Sequence, residues 1–292
     1  MKKHIFLVTA FVVILLTAVS CTPREKAVVY YPAPAFNDNE VVVKRILALN
    51  PKNSVEFTAD GRIQIGLYEP EDSLCLPQLL TVRGETYVAE TYNSSEVYQA
   101  ISNINSSILQ VLDVPESAID EKKAETPWFD IFSPSGGGDW PGVGYARKQH
   151  MEQIDAILRL PNVRVLFPDN ITFMWTAIPH HEDVYELIAV KQEYRLELSD
   201  VTVEKTTVDI NNFGTPEVLI TLAPQFRDGW ARLTAINVGR SLACVMDGRV
   251  LMYPRVQSEI TSGKLMIAGS FDMQQIKEFA AIIAGGVLIP TE

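Results

Sequence analysis

The sequence predicts an α+β protein in which helices pack on mostly antiparallel sheets, and three observations carry this prediction. The dipeptide Asp247-Gly248 separates two apolar runs. It is a strong hairpin signal because both residue types tolerate the positive φ of a two-residue turn. Apolar residues after Asn93 recur at helical spacing. The stretch 201–285 gives the order β-β-α-β-β-β-α, which places helices on one side of an antiparallel sheet.

Composition describes a globular, acidic chain. The 292 residues are 47% hydrophobic and 21% charged, with a net charge of −11. This length suffices for one large or two modest domains. Phosphate groups must be neutralised by Lys and Arg, so the negative charge argues against nucleic acid or anionic lipid as a partner. The acidic residues are interpreted as a solvated surface.

The first twenty residues are predicted to be a leader, not part of the fold. Lys2 and Lys3 precede an apolar stretch, 5–16, which is too short to span a membrane. Small residues then lead to Cys21, so the segment 1–20 resembles a bacterial lipoprotein signal peptide, although Ala18 replaces the usual leucine. The resemblance implies that Cys21 is lipid-modified, for example with palmitate, and that several acyl chains anchor the protein to a membrane. An ordinary secretory signal with an incidental cysteine is the alternative.

The next residues are predicted in the order of the chain. The segment 21–39, with three prolines and little periodicity, is expected to be a tether. A short amphipathic helix over 40–49 ends before Pro51. Strands over 54–58 and 62–67 flank a glycine-containing hairpin loop, and a second strand region covers 79–92, which Gly84 could interrupt.

A longer helix is predicted after Asn93. The Asn93 side chain can cap the first N–H groups, and Glu96 three positions later completes a capping-box pattern. The apolar face of this helix consists of Val97, Ile101, Ile104, Ile108 and Leu112.

The stretch 115–140 is predicted to be irregular. Its glycine-rich part, 135–139, lacks the Gly-Lys-Ser/Thr of a phosphate-binding loop, and the pair Gly142 and Gly144 lacks the third glycine of a dinucleotide site. A mobile surface loop is therefore expected. Four aromatic residues near it either plug the core or contact a partner: Trp128, Phe129, Phe132 and Trp140.

The remaining elements follow from periodicity and turn residues. A helix is predicted over 149–160, and strands over 163–167, 171–177 and 184–190. In the C-terminal part, strands over 201–210 and 217–222 precede a helix that starts at Pro224. The Asp247-Gly248 hairpin, a strand over 265–268 and a helix from Asp272, capped with Gln275, complete the chain.

No catalytic residue, cofactor site or metal site is predicted. His180 and His181 are adjacent, and adjacent side chains in a strand point to opposite faces, so a solvated loop is the preferred interpretation. Turn or helix geometry explains each of Asp228, Asp247 and Asp272. Cys75 and Cys244 could pair in an oxidising compartment. Cys244 lies in an apolar run, however, where a thiol usually acts as a small buried hydrophobe.

An ordered pattern runs through the last ninety or so residues. It consists of Leu242, Ala243, Asp247, Gly248, Val250, Pro254, Ile260, Gly263, Ile267, Gly269, Phe271, Ala280, Gly286, Leu288 and Pro290. This pattern resembles the head of the first periplasmic domain of SecD and of the fused SecDF, subunits of the Sec protein translocase. Segments over 89–98 and 144–175 are also similar to parts of some fused SecDF proteins.

The resemblance implies a domain organisation: a ferredoxin-like base over 40–126, an inserted segment over 127–195 and a SecD-like head over 196–292. It also implies a non-enzymatic envelope lipoprotein outside the cytoplasm, tethered through Cys21 and auxiliary to Sec-dependent translocation. Its partners would be translocase subunits or unfolded exported polypeptide. No apolar run of about twenty residues is present, so the chain is not expected to couple a proton gradient to translocation. The alternative is a generic envelope binding lipoprotein that reuses the fold.

Overall fold

Helices and antiparallel sheets make up the protein, which confirms the predicted α+β class. The structure, a computed structural model, describes residues 26–32, 38–111 and 127–289. The strands are β1 (Ala27–Pro32), β2 (Ser54–Phe57), β3 (Arg62–Leu67), β4 (Thr86–Thr91), β5 (Ser133–Pro134), β6 (Gly142–Arg147), β7 (Ile171–Trp175), β8 (Val184–Leu198), β9 (Val203–Ile210), β10 (Pro216–Leu222), β11 (Leu242–Met246), β12 (Arg249–Met252) and β13 (Lys264–Ala268). The helices are α1 (Asn39–Leu49), α2 (Leu76–Thr81), α3 (Ser94–Val111), α4 (Pro127–Ile131), α5 (Met151–Leu158), α6 (Pro161–Arg164), α7 (Pro224–Ile236) and α8 (Met273–Gly285).

The chain forms two compact units, each built from separate segments. The first unit comprises residues up to 85, 199–223 and those from 271 onward, and the second comprises 86–198 and 224–270. The linear domain boundaries inferred from the sequence stay a prediction.

In the first unit, β1, β3 and β2 form an antiparallel sheet in that order. The β2–β3 hairpin turns at Gly61, whose φ is 75°, and it confirms the predicted loop. The β9–β10 hairpin is also confirmed. Its turn is held by Asn211, whose side-chain oxygen accepts hydrogen bonds from the N–H groups of Phe213 and Thr215.

The two helices predicted in the first unit, over 40–49 and from Asp272, are confirmed. Helix α1 is capped by Asp38, whose carboxylate accepts a hydrogen bond from Val41 N. Helix α8 begins with the predicted capping box between Asp272 and Gln275. Helices α1 and α8 pack against each other.

Two predictions for the first unit are wrong. Residues 27–32 of the predicted tether form β1, and Val29 is buried because β3 supplies a partner for the strand. The predicted strand region that starts at residue 79 instead begins in α2, and only its second half is a strand, β4. Pro77 lies in the first turn of α2, and the buried side chains of Leu76, Leu79 and Leu80 have helical spacing.

In the second unit, a sheet of order β12-β11-β4-β8-β6-β5 is extended by β7, which pairs with β8. The chain directly after β7 contacts β12. Thr176 forms a β-bridge with Val250, and Ala177 N donates a hydrogen bond to Val250 O at 2.8 Å. The strands β12, β11, β4, β8 and β7 therefore close into a ring. Its interior is filled by Tyr87, Ala89, Met174, Ile188, Val190, Ala243, Val245 and Val250.

The opposite face of β6, β7 and β8 forms the larger core of the second unit. Leu187 and Ala189 alternate with the ring-facing residues of β8 and contact this core. Helix α3 contributes the predicted face of Val97, Ile101 and Ile104, with Ile108 at its margin, whereas Leu112 lies outside the described residues.

The cap of α3 differs from the prediction. Glu96 accepts a hydrogen bond from Asn93 N at 2.6 Å, which is the expected half of the capping box. The other half does not form. Instead, the N–H groups of Ser94 and Ser95 donate to the carbonyl oxygens of Trp140 and Gly138, so the glycine-rich loop caps the helix.

Two further predictions for the second unit are wrong in part. The stretch 115–140 is not irregular throughout, because α4 and β5 lie within it. Residues 163–167 do not form a strand: α6 begins at Pro161 and buries Val163, while Val165 is 78% exposed. The helix over 149–160 is confirmed by α5 and the 3₁₀ turn before it, and the strands at β7 and β8 are confirmed.

Candidate functional site

An apolar cavity of about 250 Å³ lies between α7 and the outer face of the strand ring in the second unit. Helix α7 supplies Trp230 and Thr234, and β11 supplies Leu242 and Cys244. The other lining residues are Val88, Met252, Pro254, Arg255, Val256, Gln257, Ser258, Ile260, Leu265 and Met266.

Local sequence signals position both walls of the apolar cavity. Helix α7 starts at Pro224, as predicted, because the missing N–H of proline costs nothing in the first turn. The hairpin of β11 and β12 turns at Asp247 and Gly248, with φ values of 46° and 74°, as a two-residue turn requires. Alternation along β11 then directs Leu242 and Cys244 toward the cavity.

The loop that closes the apolar cavity is tied to α7 by hydrogen bonds. Thr234 is fully buried, and its hydroxyl oxygen accepts a hydrogen bond from Ile260 N at 2.9 Å. The Trp230 indole N–H donates to Lys264 O at 3.2 Å. These bonds hold the residues from 254 to 266 across the mouth of the cavity.

The cavity has the character of a binding site for apolar groups. Its floor is apolar, whereas Arg255, Gln257 and Ser258 on the loop are exposed and give it a polar rim. Met266 is 43% exposed at the rim. Burial raises the pKa of the Cys244 thiol to about 12, so this group stays protonated at neutral pH and acts as an apolar wall.

The histidines and glycines considered from the sequence are not brought together as a site. His180 and His181 are exposed before β8. Within the described residues, no cluster of three or more histidine, cysteine or acidic side chains could hold a metal ion. Gly144 allows a close approach, because a Cβ there would lie 2.4 Å from the Phe132 ring. The glycine-rich loop caps α3, as described above.

The four aromatic residues near the glycine-rich loop divide into two groups. Trp128 and Phe132 are fully buried, with ring centroids 4.7 Å apart, so they fill the core. Phe129 and Trp140 are 40% and 48% exposed. The core interpretation is therefore confirmed for Trp128 and Phe132, whereas contact of Phe129 and Trp140 with a partner stays a prediction.

The predicted lipidation site lies outside the part of the chain that the structure describes, as does the apolar stretch 5–16. Among the described helices, none combines the length and the hydropathy needed to cross a bilayer. Cys75 and Cys244 are both free and buried, and they belong to different units.

The apolar cavity coincides with a family match. The family model described as "SecDF, P1 head subdomain" matches residues 177–289, which include every residue of the cavity except Val88. Protein translocase subunit SecD of Rhodothermus marinus is 28% identical over 172 residues, which are 57% of this chain and 27% of that protein. The chain resembles the periplasmic domain of SecD.

Other SecD relatives match shorter stretches. Protein translocase subunit SecDF of Thermus thermophilus is 33% identical over 78 residues, which are 27% of this chain and 11% of that protein. SecD of Acidaminococcus fermentans is 39% identical over 75 residues, which are 26% of this chain and 18% of that protein. The chain thus spans about a quarter of the first SecD relative and a smaller share of the other two.

Two solved structures of SecDF align with 86% of this chain at 18% identity. One is described as a membrane component that enhances protein export, with a TM-score of 0.40 and 86% of its chain covered. The other is SecDF in a super-membrane-facing form, with a TM-score of 0.43 and 26% of its chain covered.

Sequence reasoning located the hairpin and α7 but not the cavity between them. The loop over 254–260 carries no periodic signal, and its position depends on the hydrogen bond from Ile260 N to Thr234 and on backbone hydrogen bonds with Arg240 and Leu242. Sequence reasoning also passed over Glu186, a buried glutamate on β8. The available signal was a single carboxylate directly before the apolar run of β8.

Proposed function

We propose that this protein is a non-enzymatic envelope lipoprotein, tethered to a membrane through acyl chains on Cys21, that assists Sec-dependent protein translocation. Its apolar cavity would hold apolar side chains of an unfolded exported polypeptide. The observation that carries the proposal is the location of this cavity within 177–289, the segment matched by the SecDF head family model. The relatives are named as translocase subunits.

The shape of the cavity supports short apolar segments as ligands. Unfolded polypeptides expose apolar side chains, and an apolar floor gains free energy at about 25 cal/mol per Å² of apolar surface removed from water. The exposed rim at Arg255 and Gln257 leaves room for the polar backbone of a ligand to remain hydrated. A site of this kind selects apolar character and not a particular sequence.

In-cell photo-crosslinking tests the proposal. A photoreactive amino acid at Met266 or Arg255 places the probe at the rim, and one at Val165, which is 78% exposed, is the control outside the cavity. We expect adducts with exported chains or translocase subunits from the rim positions and none from the control. Adducts with only one unrelated envelope protein would favour the alternative of a generic binding lipoprotein.

A pair of matched variants adds a quantitative readout. Met266→Asp places a charge at the rim of the apolar cavity, whereas Val165→Asp places the same charge on an exposed position elsewhere. We expect only the first variant to lose crosslinking and to slow export of a reporter protein. Equal effects of the two variants would refute a role for the cavity.

The proposed anchor has a separate test. Cys21→Ala should abolish incorporation of labelled palmitate and release the protein from the membrane fraction. A variant that stays in the membrane fraction without the label would show that Cys21 is not the anchor.

A further inference from the structure

A second pocket, of about 180 Å³, opens at one end of the strand ring and contains a buried carboxylate. Glu186 lies on β8 on the same face as Ile188 and Val190, which fill the ring, and it is 2% exposed. The rim of this Glu186 pocket includes Thr176, Ile178, Pro179, His180, Tyr253 and Ser270.

One oxygen of this carboxylate has no hydrogen-bond partner among the residues that the structure describes. The Tyr253 hydroxyl donates a hydrogen bond to Glu186 Oε2. Within the described part of the chain, Glu186 Oε1 is buried and accepts no hydrogen bond. A buried carboxylate is costly unless it is paired or hydrogen-bonded. The free oxygen therefore favours a ligand that brings a positive charge or strong N–H donors.

Space for this oxygen depends on a glycine. A Cβ at position 142 would lie 1.9 Å from Glu186 Oε1 and 3.1 Å from the indole nitrogen of Trp140. Any other residue at position 142 would overlap this oxygen. Gly142 thus lets the carboxylate approach the backbone of β6 beside Trp140.

Aromatic rings surround the carboxylate. Tyr145 is the cross-strand partner of Glu186, and its ring lies 5.3 Å from that of His180. The rings of Trp140 and Tyr253 are 6.3 Å apart and nearly perpendicular. Burial, followed by the neighbouring Glu186 carboxylate, raises the pKa of Tyr145 to about 12 and raises that of Tyr253 as well. Both phenols are therefore neutral at physiological pH, so neither adds a negative charge beside Glu186.

These features select one ligand chemistry. A divalent metal ion requires several oxygen ligands, commonly more than one carboxylate, and no group of three metal-binding side chains occurs among the described residues. An organic cation needs only one carboxylate for its charge and aromatic faces for its remaining surface, since a cation is attracted to the face of an aromatic ring. A primary ammonium group also carries the N–H donors that Oε1 lacks.

We propose that Glu186, flanked by the rings of Tyr145 and Tyr253, binds the primary ammonium group of an alkylamine or of a lysine side chain. The proposal does not depend on a role in translocation, because it rests on the Glu186 pocket alone. The two sources of the ammonium group share this chemistry, and the experiment separates them.

The test follows the Trp140 indole N–H resonance by NMR while ligands are added to the full chain, with Trp140→Phe used to assign the signal. The probes are n-butylamine, N-acetyl-lysine methylamide and a short lysine peptide, and the neutral control is N-acetyl-norleucine methylamide. We expect saturable shifts with at least one ammonium probe and none with norleucine. Shifts from n-butylamine alone would identify a small amine as the ligand, and shifts from the lysine probes would identify a polypeptide side chain.

Two variants keep the test decisive. Glu186→Gln retains the shape and the hydrogen bond from Tyr253, and we expect it to weaken ammonium binding at least tenfold. The matched control Glu152→Gln, an exposed glutamate on α5, should leave binding unchanged.

If Glu186→Gln does not fold, a ring variant replaces it, with the Trp140 indole resonance still the readout. Tyr145→Leu removes one of the two flanking rings, and we expect it to weaken binding roughly two- to fivefold, the contribution of a cation–π contact. Binding of norleucine as strong as that of lysine would overturn the proposal. Binding that Glu186→Gln leaves unchanged, or no shift with any ammonium probe, would do the same.

Discussion

Arg45 is expected to be a principal determinant of the stability of the first unit. Its side chain is fully buried, and its guanidinium donates to Leu79 O, Val82 O, Arg83 O and Gly286 O at 2.7–3.0 Å. These carbonyl groups lie at or just beyond the C-terminal ends of α2 and α8. A cation is favoured there because helix carbonyls lack intrahelical partners and carry partial negative charge.

The loss of stability expected on replacing Arg45 follows from the burial of these hydrogen bonds. Each hydrogen bond from a charged donor contributes about 1.5–3 kcal/mol to stability. Burying the guanidinium costs several kcal/mol, so the net stabilisation is smaller than the sum of these contributions. Arg45→Met removes the donors and leaves several buried carbonyl oxygens without them. Removal of one partner from a buried charged network typically costs about 3–5 kcal/mol, and we expect a loss in that range. This loss is a large part of the free energy of unfolding of a typical protein, which is roughly 5–15 kcal/mol.

Urea denaturation followed by circular dichroism measures this loss. Arg45→Lys retains the charge but offers three donors instead of five, so it should lie between wild type and Arg45→Met. Arg232→Met makes the same change on the exposed face of α7 and should alter stability by less than about 0.5 kcal/mol. If Arg45→Met and Arg232→Met lower the midpoint equally, the guanidinium is not a structural cation and the reasoning fails.

Three further predictions concern other buried groups. Burial raises the pKa of Cys75 and Cys244 to about 12, so neither thiol should react with maleimide at pH 8 until urea is added. A reaction of the native Cys21→Ala variant, which keeps only these two thiols, would contradict this. The pKa of Tyr145, about 12 when folded, exceeds the ordinary value near 10, so its stabilisation is present below about pH 10 and is lost between about pH 10 and 12. Tyr145→Phe should therefore lose less stability than wild type between pH 9 and 11 in urea titrations. Gly285→Ala places a Cβ 2.7 Å from Arg45 N and should lower the free energy of unfolding in urea titrations by about 1–3 kcal/mol through overpacking. The comparison variant Ala235→Gly, at an exposed position of α7, should lower it by about 1 kcal/mol through helix propensity.

Short-range signals were reliable where the interacting groups are close in sequence. The hairpin at Asp247-Gly248 and the capping box of Asp272 and Gln275 depend on residues within four positions of each other, and both were confirmed. The order of elements from β9 to α8 also matches the prediction, because each element was bounded by its own turn or cap.

Two of the departures from prediction share a physical cause. Strand β1 exists because β3 lies beside it, although thirty or more residues separate the two strands. The cap of α3 comes from carbonyl oxygens of Gly138 and Trp140, which no pattern near Asn93 indicates. In both cases a partner distant in sequence supplies the hydrogen bonds that decide the local structure.

The sequence by itself determined the α+β class, the hairpins, the amphipathic faces and the resemblance to the SecD head, since all of these depend on local order and periodicity. Tertiary structure alone decided the two sites. The apolar cavity requires α7, β11 and the loop over 254–260 to meet, and the Glu186 pocket requires the ring of strands to close where Thr176 meets Val250. A glutamate in a strand becomes a buried carboxylate with only one hydrogen-bonded oxygen when strands distant in sequence exclude water from it. The residues next to it in the sequence cannot predict this.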